Sequence, residues 1–437
     1  MGTSARDLAA ATPGTRDRYI DLLRVASLGT VVAGHWLMAA VTGDGVGNLL
    51  AVVPGLQPLT WVLQVMPVFY FVGGFSHALS HRSLRRRHPD RSVYSVFLRG
   101  RLQRLLRPTM AFVLVWGAAA LVVQLLGGGG GMTGVALRLV TQPLWFIGIY
   151  LAMVAFTPPL LRLHERFGWG AFLALLGAAA AVDVLRFAAH VPFVEFLNFA
   201  FVWLAVHQLG FLRADGRIRV PAALAATGLA GAAVLVAAGP YPLSMVGMPG
   251  EKISNMAPPT FALLLHGVWL VGAVELLKGP GGRFVGRARV WRGVVAANGI
   301  AMTAFLWHLT AMLGVYGVMI AAGPALPEPA TAAWWTQVPL RVVAAAGLTV
   351  LLVAVFRRFE RPARRTAEPV PGTGPIAAAG ITLCLLGILG LSMVGFGGLL
   401  EGRTAMLVAV HVSAPAAVVM ALGGWLLVER AGRGGRT

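Results

Sequence analysis

The chain reads as an all-α, polytopic integral membrane helical bundle, with a ten-helix core followed by two further C-terminal transmembrane helices. Composition, the spacing of apolar runs and the placement of charge each point there. The 437 residues are 57% hydrophobic and only 12% charged, with a mean hydropathy of +0.75, whereas a soluble domain carries about 25% charged residues. Apolar runs of about 20 residues, the length a helix needs to cross the hydrocarbon core, recur with little between them. The 55 Gly, 26 Pro and 12 Trp suit helices that pack closely and end at aromatic belts. A disordered chain, a collagen-like repeat and an ordinary cytosolic enzyme are excluded. The single cysteine, Cys384, lies in an apolar run and has no intramolecular disulfide partner.

In order, the predicted spans are 19–42, 59–80, 108–126, 141–163, 168–187, 193–212, 220–238, 258–277, 294–321, 334–356, 375–399 and 404–428. Turn material separates them: Gly43-Asp44-Gly45, the run Gly127 to Gly131, Gly239-Pro240, Gly279-Pro280, and Pro324 to Pro329. The organisation expected is a tail over 1–18, a ten-helix domain over 19–365, a linker over 366–374, two helices within 375–428 and a second tail over 429–437. The first eighteen residues are polar and no small-residue cleavage site follows the first apolar run, so that run is expected to be an uncleaved signal anchor.

The formal charge is +20, and all but two of the 36 basic residues, Lys252 and Lys278, are arginine. With the N-terminus cytoplasmic, thirty fall in inside loops and tails, four (Arg138, Arg186, Lys252 and Arg403) fall outside, and Arg24 and Arg341 fall within spans. Such a bias, alternating strictly over twelve spans, is a positive-inside signature. It predicts a multi-pass protein of the cell membrane with both termini cytoplasmic. Basic loops facing anionic headgroups account for the +20 without a nucleic-acid partner.

Polar groups inside spans are costly and mark candidate sites. The first span holds Asp21, Arg24 and His35. Arg24 and His35 are eleven residues apart, three turns plus about 20°, so they share one helix face with about 16 Å of rise between them. Arginine suits phosphate or carboxylate, and histidine suits proton transfer near neutral pH. The plainer reading has Arg24 reaching the inner headgroups or pairing with Asp21, while His35 bonds a neighbouring helix.

The segment Tyr19-Ile20-Asp21-Leu22-Leu23-Arg24 through Gly34-His35-Trp36 resembles the opening signature of the membrane-bound acyltransferase-3 family, an Arg and a His with ten residues between them. Further segments follow in the family's order. Met66 to Phe75 resembles the second-span motif of aromatics leading to a small-Gly-Phe turn, with Gly73 where the family usually has Ser. Phe97 to Pro108 resembles the basic Arg-x-x-Arg stretch, Arg101 and Arg104 being the matching pair. Pro143-Leu144-Trp145-Phe146 resembles the aromatic opening of the fourth span, and Phe305-Leu306-Trp307-His308 the late segment ending in His. Phe359-Glu360-Arg361-Pro362 resembles the acidic-basic-Pro close of the tenth span. The resemblance covers about residues 18–365; the last 72 residues lie outside it.

The resemblance implies transfer of an acyl group, often acetyl, from cytoplasmic acyl-CoA to a hydroxyl of a sugar, polysaccharide, lipid or macrolide-like natural product. Acyl-CoA would be a co-substrate, and no tightly bound cofactor or metal is expected. Acyl transfer needs a base, a stabilised oxyanion and a dock for an anionic donor. His35 is the candidate base. His308, at a predicted depth of about 21 Å against about 24 Å for His35, is placed to orient it or to polarise the thioester carbonyl. Arg101 and Arg104, one turn apart if the helix extends below the third span, form a cationic lip for the donor's phosphates, with Arg24 on the same side. Asp21, Trp145 and Glu360 are supporting residues, Glu360 with Arg361 fixing the end of the tenth span.

Asp183 and Arg186 are expected to be a structural pair, Glu195 and Asn198 to lie at headgroup level, and His207, His266 and Glu275 to be packing or interfacial residues. No His/Cys/Asp/Glu cluster has metal-ligand spacing and no Ser sits in a nucleophile elbow, which favours direct transfer in a ternary complex. A twelve-span secondary transporter is the rival reading. It would be expected to show internal repeats and broken helices at the membrane midplane, and the two halves show no similarity. A non-catalytic assembly subunit leaves the Arg24–His35 face unexplained.

Overall fold

The computed structural model describes residues 5–14, 16–42, 45–248, 250–323, 325–360, 372–407 and 410–432. Helix α1 (Ala5–Ala10) precedes α2 (Arg18–Met38), which ends in a small hairpin of β1 (Ala39–Val41) and β2 (Val46–Asn48). Short α3 (Leu49–Val52) and α4 (Thr60–Leu63) lead into α5 (Met66–Arg87) and the 32-residue α6 (Tyr94–Leu125). Then come α7 (Gly131–Leu139), α8 (Gln142–Phe167), α9 (Trp169–Phe187), α10 (Asn198–Ala214), α11 (Pro221–Ala238) and α12 (Phe261–Leu276). After α13 (Lys278–Gly286) and α14 (Ala288–Asn298) follow α15 (Ala301–Ala321), α16 (Ala332–Phe356) and α17 (Gly374–Val394). A second hairpin, β3 (Thr404–Leu407) with β4 (Val410–Ser413), precedes α18 (Ala414–Ala431).

Each of the twelve predicted apolar runs is helical over most of its length. Among the described residues, ten helical stretches are long and apolar enough to cross a membrane, and α12 with α13, bent by 56° at their junction, brings the number to eleven if the pair is one span. The protein is therefore a multi-pass membrane protein. The first predicted span is the exception: Asp21, Arg24 and His35 lower the hydropathy of α2, although its 21 residues extend about 31 Å, enough for a bilayer core. Other boundaries moved as well. The ninth span divides into α14 and α15, and the twelfth begins only after the β3–β4 hairpin. Most of the linker expected over 366–374, together with Arg361 and Pro362, lies outside the described residues, as does Gly43-Asp44.

The chain forms two compact units: Met1–Gly34, Leu50–Ala78 and Pro159–Ala301 make one, and His35–Leu49, Leu79–Pro158 and Met302–Thr437 the other. In a bilayer, helices associate through close packing and polar contacts more than through apolar burial. In the first unit, α5 meets α10 where Gly74 faces Gly210; a Cβ on Gly74 would lie 2.0 Å from the His207 carbonyl oxygen. The turn expected at Gly73-Gly74-Phe75 is thus continuous helix, and its glycine serves a helix crossing. Beside it, buried His77 and His207 share a 3.0 Å hydrogen bond. Toward the chain's start, Arg213 bridges Asp17 and Glu275, and Trp291 of α14 donates to the Ala9 carbonyl of α1.

In the second unit, α17 and α18 form a tight pair because Gly387 and Gly424 leave no side chain between them. Cys384 is buried in this pair and contacts the Ala421 carbonyl. The pair is tied to α6 near both ends. Buried Glu429 receives Arg99 and Gln103, each at 3.4 Å, and Arg99 also donates to the Gly432 carbonyl at 2.8 Å. Some 37 Å along α6, Gln124 donates to the Phe396 carbonyl at 2.9 Å and accepts from the Leu400 amide at 3.0 Å.

Candidate active site

Helix α15 is set in place at its N-terminus. The first-turn amides of a helix lack intrahelical acceptors and carry partial positive charge. The buried carboxylate of Glu360 accepts from the Met302 amide at 3.1 Å, the Thr303 amide at 2.9 Å and the Thr303 hydroxyl at 2.7 Å. Glu360 therefore caps α15 from the end of the α16 segment, and Arg104 lies within electrostatic reach of it. Two turns on, α15 presents His308.

His308 is fully buried, and its Nδ1 lies 2.5 Å from the Phe305 carbonyl oxygen one turn earlier. Its Nε2 lies 2.7 Å from Nδ1 of His35. The ring planes differ by 7° with centroids 5.0 Å apart, so the imidazoles meet edge to edge in nearly one plane. Proton positions follow from donor and acceptor capacity. A carbonyl only accepts, so His308 carries its proton on Nδ1 and offers the Nε2 lone pair. His35 must then donate from Nδ1, and in its neutral form its Nε2 holds a lone pair. That nitrogen has no hydrogen-bond partner among the described residues, and His35 is only half-buried. The arrangement is an oriented base with an open accepting atom.

Aromatic residues hold the pair. The Trp36 indole donates to the His308 carbonyl at 3.1 Å, joining α2 to α15 next to His35. Phe305 packs on Phe146 at 4.7 Å, while Trp307 stacks on Phe356 at 4.1 Å and meets Phe112 edge-on at 5.2 Å. Trp116 of α6 donates to the Thr310 hydroxyl. Trp145, singled out from the sequence, is half-buried; its neighbour Phe146 makes the contact to the His-bearing segment. Trp36, Phe146, Thr303 and the Phe305 carbonyl were not singled out for these roles. Trp36 was signalled only by adjacency to His35, and a backbone carbonyl leaves no signal in sequence.

Asp21, buried in the first turn of α2, takes two arginines: Arg16 at 2.5 Å and Arg24 at 3.2 Å. Arg24 also donates to the Ser76 hydroxyl at 2.8 Å. The expected Arg24–Asp21 pairing is present. One carboxylate against two guanidiniums leaves the cluster with net positive charge, and the Asp21 hydrogen bond raises the pKa of Arg16 above its ordinary value. On α6, Arg101 is half-buried and Arg104 exposed, one turn apart on a helix that does extend below the third span.

Other candidates serve the scaffold. Asp183 accepts from Asn198 at 2.9 Å, Tyr241 at 3.0 Å and the Phe261 amide at 2.7 Å, so its hydrogen bonds come from these three, while Arg186 lies over the Phe187 ring. Asn198 is fully buried. His266 bonds the Trp61 carbonyl, and Glu275 pairs with Arg213.

A family model described as an acyltransferase domain matches residues 17–358, from just before α2 to the end of α16. No curated protein and no solved structure matches the chain.

Proposed function

The chain belongs to the acyltransferase-3 family, and we propose that this membrane acyltransferase moves an acetyl or other short acyl group from cytoplasmic acyl-CoA to a hydroxyl of a carbohydrate, lipid or natural-product acceptor. The observation that carries the reading is the His35–His308 relay, which leaves a lone pair on His35 Nε2. That atom takes the proton of the acceptor hydroxyl as its oxygen attacks the thioester carbonyl carbon. The tetrahedral intermediate collapses with cleavage of the carbon–sulfur bond. The leaving thiolate takes the proton back from His35 Nε2, giving an ester and free coenzyme A. His308 holds the His35 ring and its tautomer, and stabilises the imidazolium through the same hydrogen bond.

Donor binding is assigned to Arg24, Arg101 and Arg104. The net positive Arg16–Asp21–Arg24 cluster supports the first, and the position of Arg101 and Arg104 one turn apart on the basic end of α6, with Arg104 exposed, supports the others. The positive-inside distribution supports placing these groups and both termini on the cytoplasmic side of the cell membrane. Direct transfer is favoured because the one cysteine is buried between α17 and α18.

The test uses membranes carrying the full-length chain. With acyl-CoA and a panel of hydroxylated acceptors, free thiol should appear only when a matching acceptor is present, and His35→Ala should abolish it in folded protein. Full turnover in that variant would falsify the assignment of the base. Solute uptake by proteoliposomes without acyl-CoA would favour the transporter instead.

A further inference from the structure

Arg341 lies within the α16 span, is 7% exposed and has no carboxylate partner among the described residues. Its Nη1 donates to the Tyr316 hydroxyl at 2.8 Å and its Nη2 to the Trp334 carbonyl at 2.6 Å. The guanidinium sits 4.7 Å from the Trp334 ring centroid and 5.6 Å from that of Tyr316. Of its other three N–H groups, Nε–H is buried with no acceptor, and so is the indole N–H of Trp334, a residue 1% exposed. Trp334 and Arg341 are seven residues apart, two turns along one face of α16.

A cation in a span is ordinarily paired with an acid or faces a functional site. Neutral acceptors and ring faces lower the cost of burying it but do not neutralise it. Two unsatisfied donors beside an uncompensated positive charge are what an acceptor-only oxyanion satisfies, and guanidinium geometry matches carboxylate and phosphate. The place is informative as well. Tyr316 follows His308 by eight residues on α15, about 12 Å, and packs with Ala39, Leu309 and Met312, against which Trp36 lies.

We propose that Arg341 and the Trp334 indole N–H bind one anionic group, a carboxylate or a phosphate ester, carried by a molecule that also reaches the His35–His308 pair. Naming that molecule as the acceptor rests on the acyl-transfer reading; the anion binding does not. The acceptor is then an acidic one.

The test is binding to the purified full-length chain in neutral lipid nanodiscs without acyl-CoA, followed by tryptophan fluorescence and thermal unfolding. Two matched pairs serve as probes: glucuronate against glucose for a water-soluble anion, and dioctanoyl phosphatidate against dioctanoylglycerol for a lipid-borne one. The anionic member of one pair should bind saturably at least about tenfold more tightly than its neutral counterpart; which pair responds identifies the source. Arg341→Gln should bring that pair to parity, and Trp334→Phe, which keeps the ring but loses the N–H, should narrow the gap several-fold. No preference in either pair, or a preference that survives Arg341→Gln, overturns the proposal. If Arg341→Gln does not fold, an unchanged preference in Trp334→Phe overturns it. Acyl transfer takes no part in the measurement, so its failure would leave this result standing.

Discussion

Nδ1 of His35 lies 2.7 Å from Nε2 of His308, whose own Nδ1 lies 2.5 Å from the Phe305 carbonyl. Because the relay ends on a group that only accepts, it assigns every proton up to His35 and leaves one accepting atom, His35 Nε2.

His35→Ala removes that atom. Turnover is expected to fall by at least about 100-fold, with protein yield and thermal unfolding near wild type. His308→Ala should lower kcat by a smaller factor and leave the KM for acyl-CoA unchanged, since in the proposed mechanism His308 acts on His35 and not on the donor. Steady-state kinetics of the two variants distinguish these effects, and a donor KM that rises with an unaltered kcat would contradict the orienting role.

The rate should depend on pH through one proton. Protonated His35 carries hydrogen on both ring nitrogens and accepts nothing, so kcat/KM is expected to rise with pH at unit slope and then level off. A profile with slope two on the acid limb would mean that both imidazoles must lose a proton.

Arg101→Ala combined with Arg104→Ala should raise the KM for acyl-CoA and leave that for the acceptor near its starting value. Added salt should weaken donor binding in the wild type more than in the double variant, because the charges removed are ones that salt screens. Equal donor affinity in both proteins would restrict these arginines to a topological role.

Glu429→Ala strips the carboxylate from Arg99 and Gln103 and leaves a largely buried guanidinium without its partner. The expected loss is about 3–5 kcal/mol, read as a lower unfolding temperature in detergent. Glu429→Gln, which still accepts hydrogen bonds, should lose less. Equal stability in all three proteins would show that α17 and α18 are held on α6 by packing alone.

Gly74→Val places a branched side chain where even a Cβ would lie 2.0 Å from the His207 carbonyl oxygen. Folded yield should collapse in the variant, as judged by size-exclusion chromatography. A normal elution profile would show that α5 and α10 part without cost.

Helical periodicity and hydropathy are local properties, which is why the helices, their approximate ends and the Arg101–Arg104 spacing were legible in the residues. The recurrence of Arg and His on one face of the first helix was legible for the same reason. Its rank as a span by hydropathy was not, since the same polar residues that mark it as a site lower its apolar average. The Gly73-Gly74-Phe75 end of the Met66–Phe75 stretch reads as a turn because a glycine looks alike whether it ends a helix or admits a neighbour; the opposing Gly210 lies 136 positions away.

From the sequence alone, this protein was determined to be a polytopic α-helical membrane protein bearing an Arg and a His on its first helix, with the bearing of an acyltransferase. Tertiary structure decided which atoms meet. It joined His35 to His308 across 273 residues, divided Asp21 between two arginines, set Glu360 as the cap of α15 and left Arg341 without an acid among the described residues. Hydropathy is summed over a window and survives small shifts in placement. A hydrogen bond depends on a few tenths of an ångström between distant segments, and packing alone sets that distance.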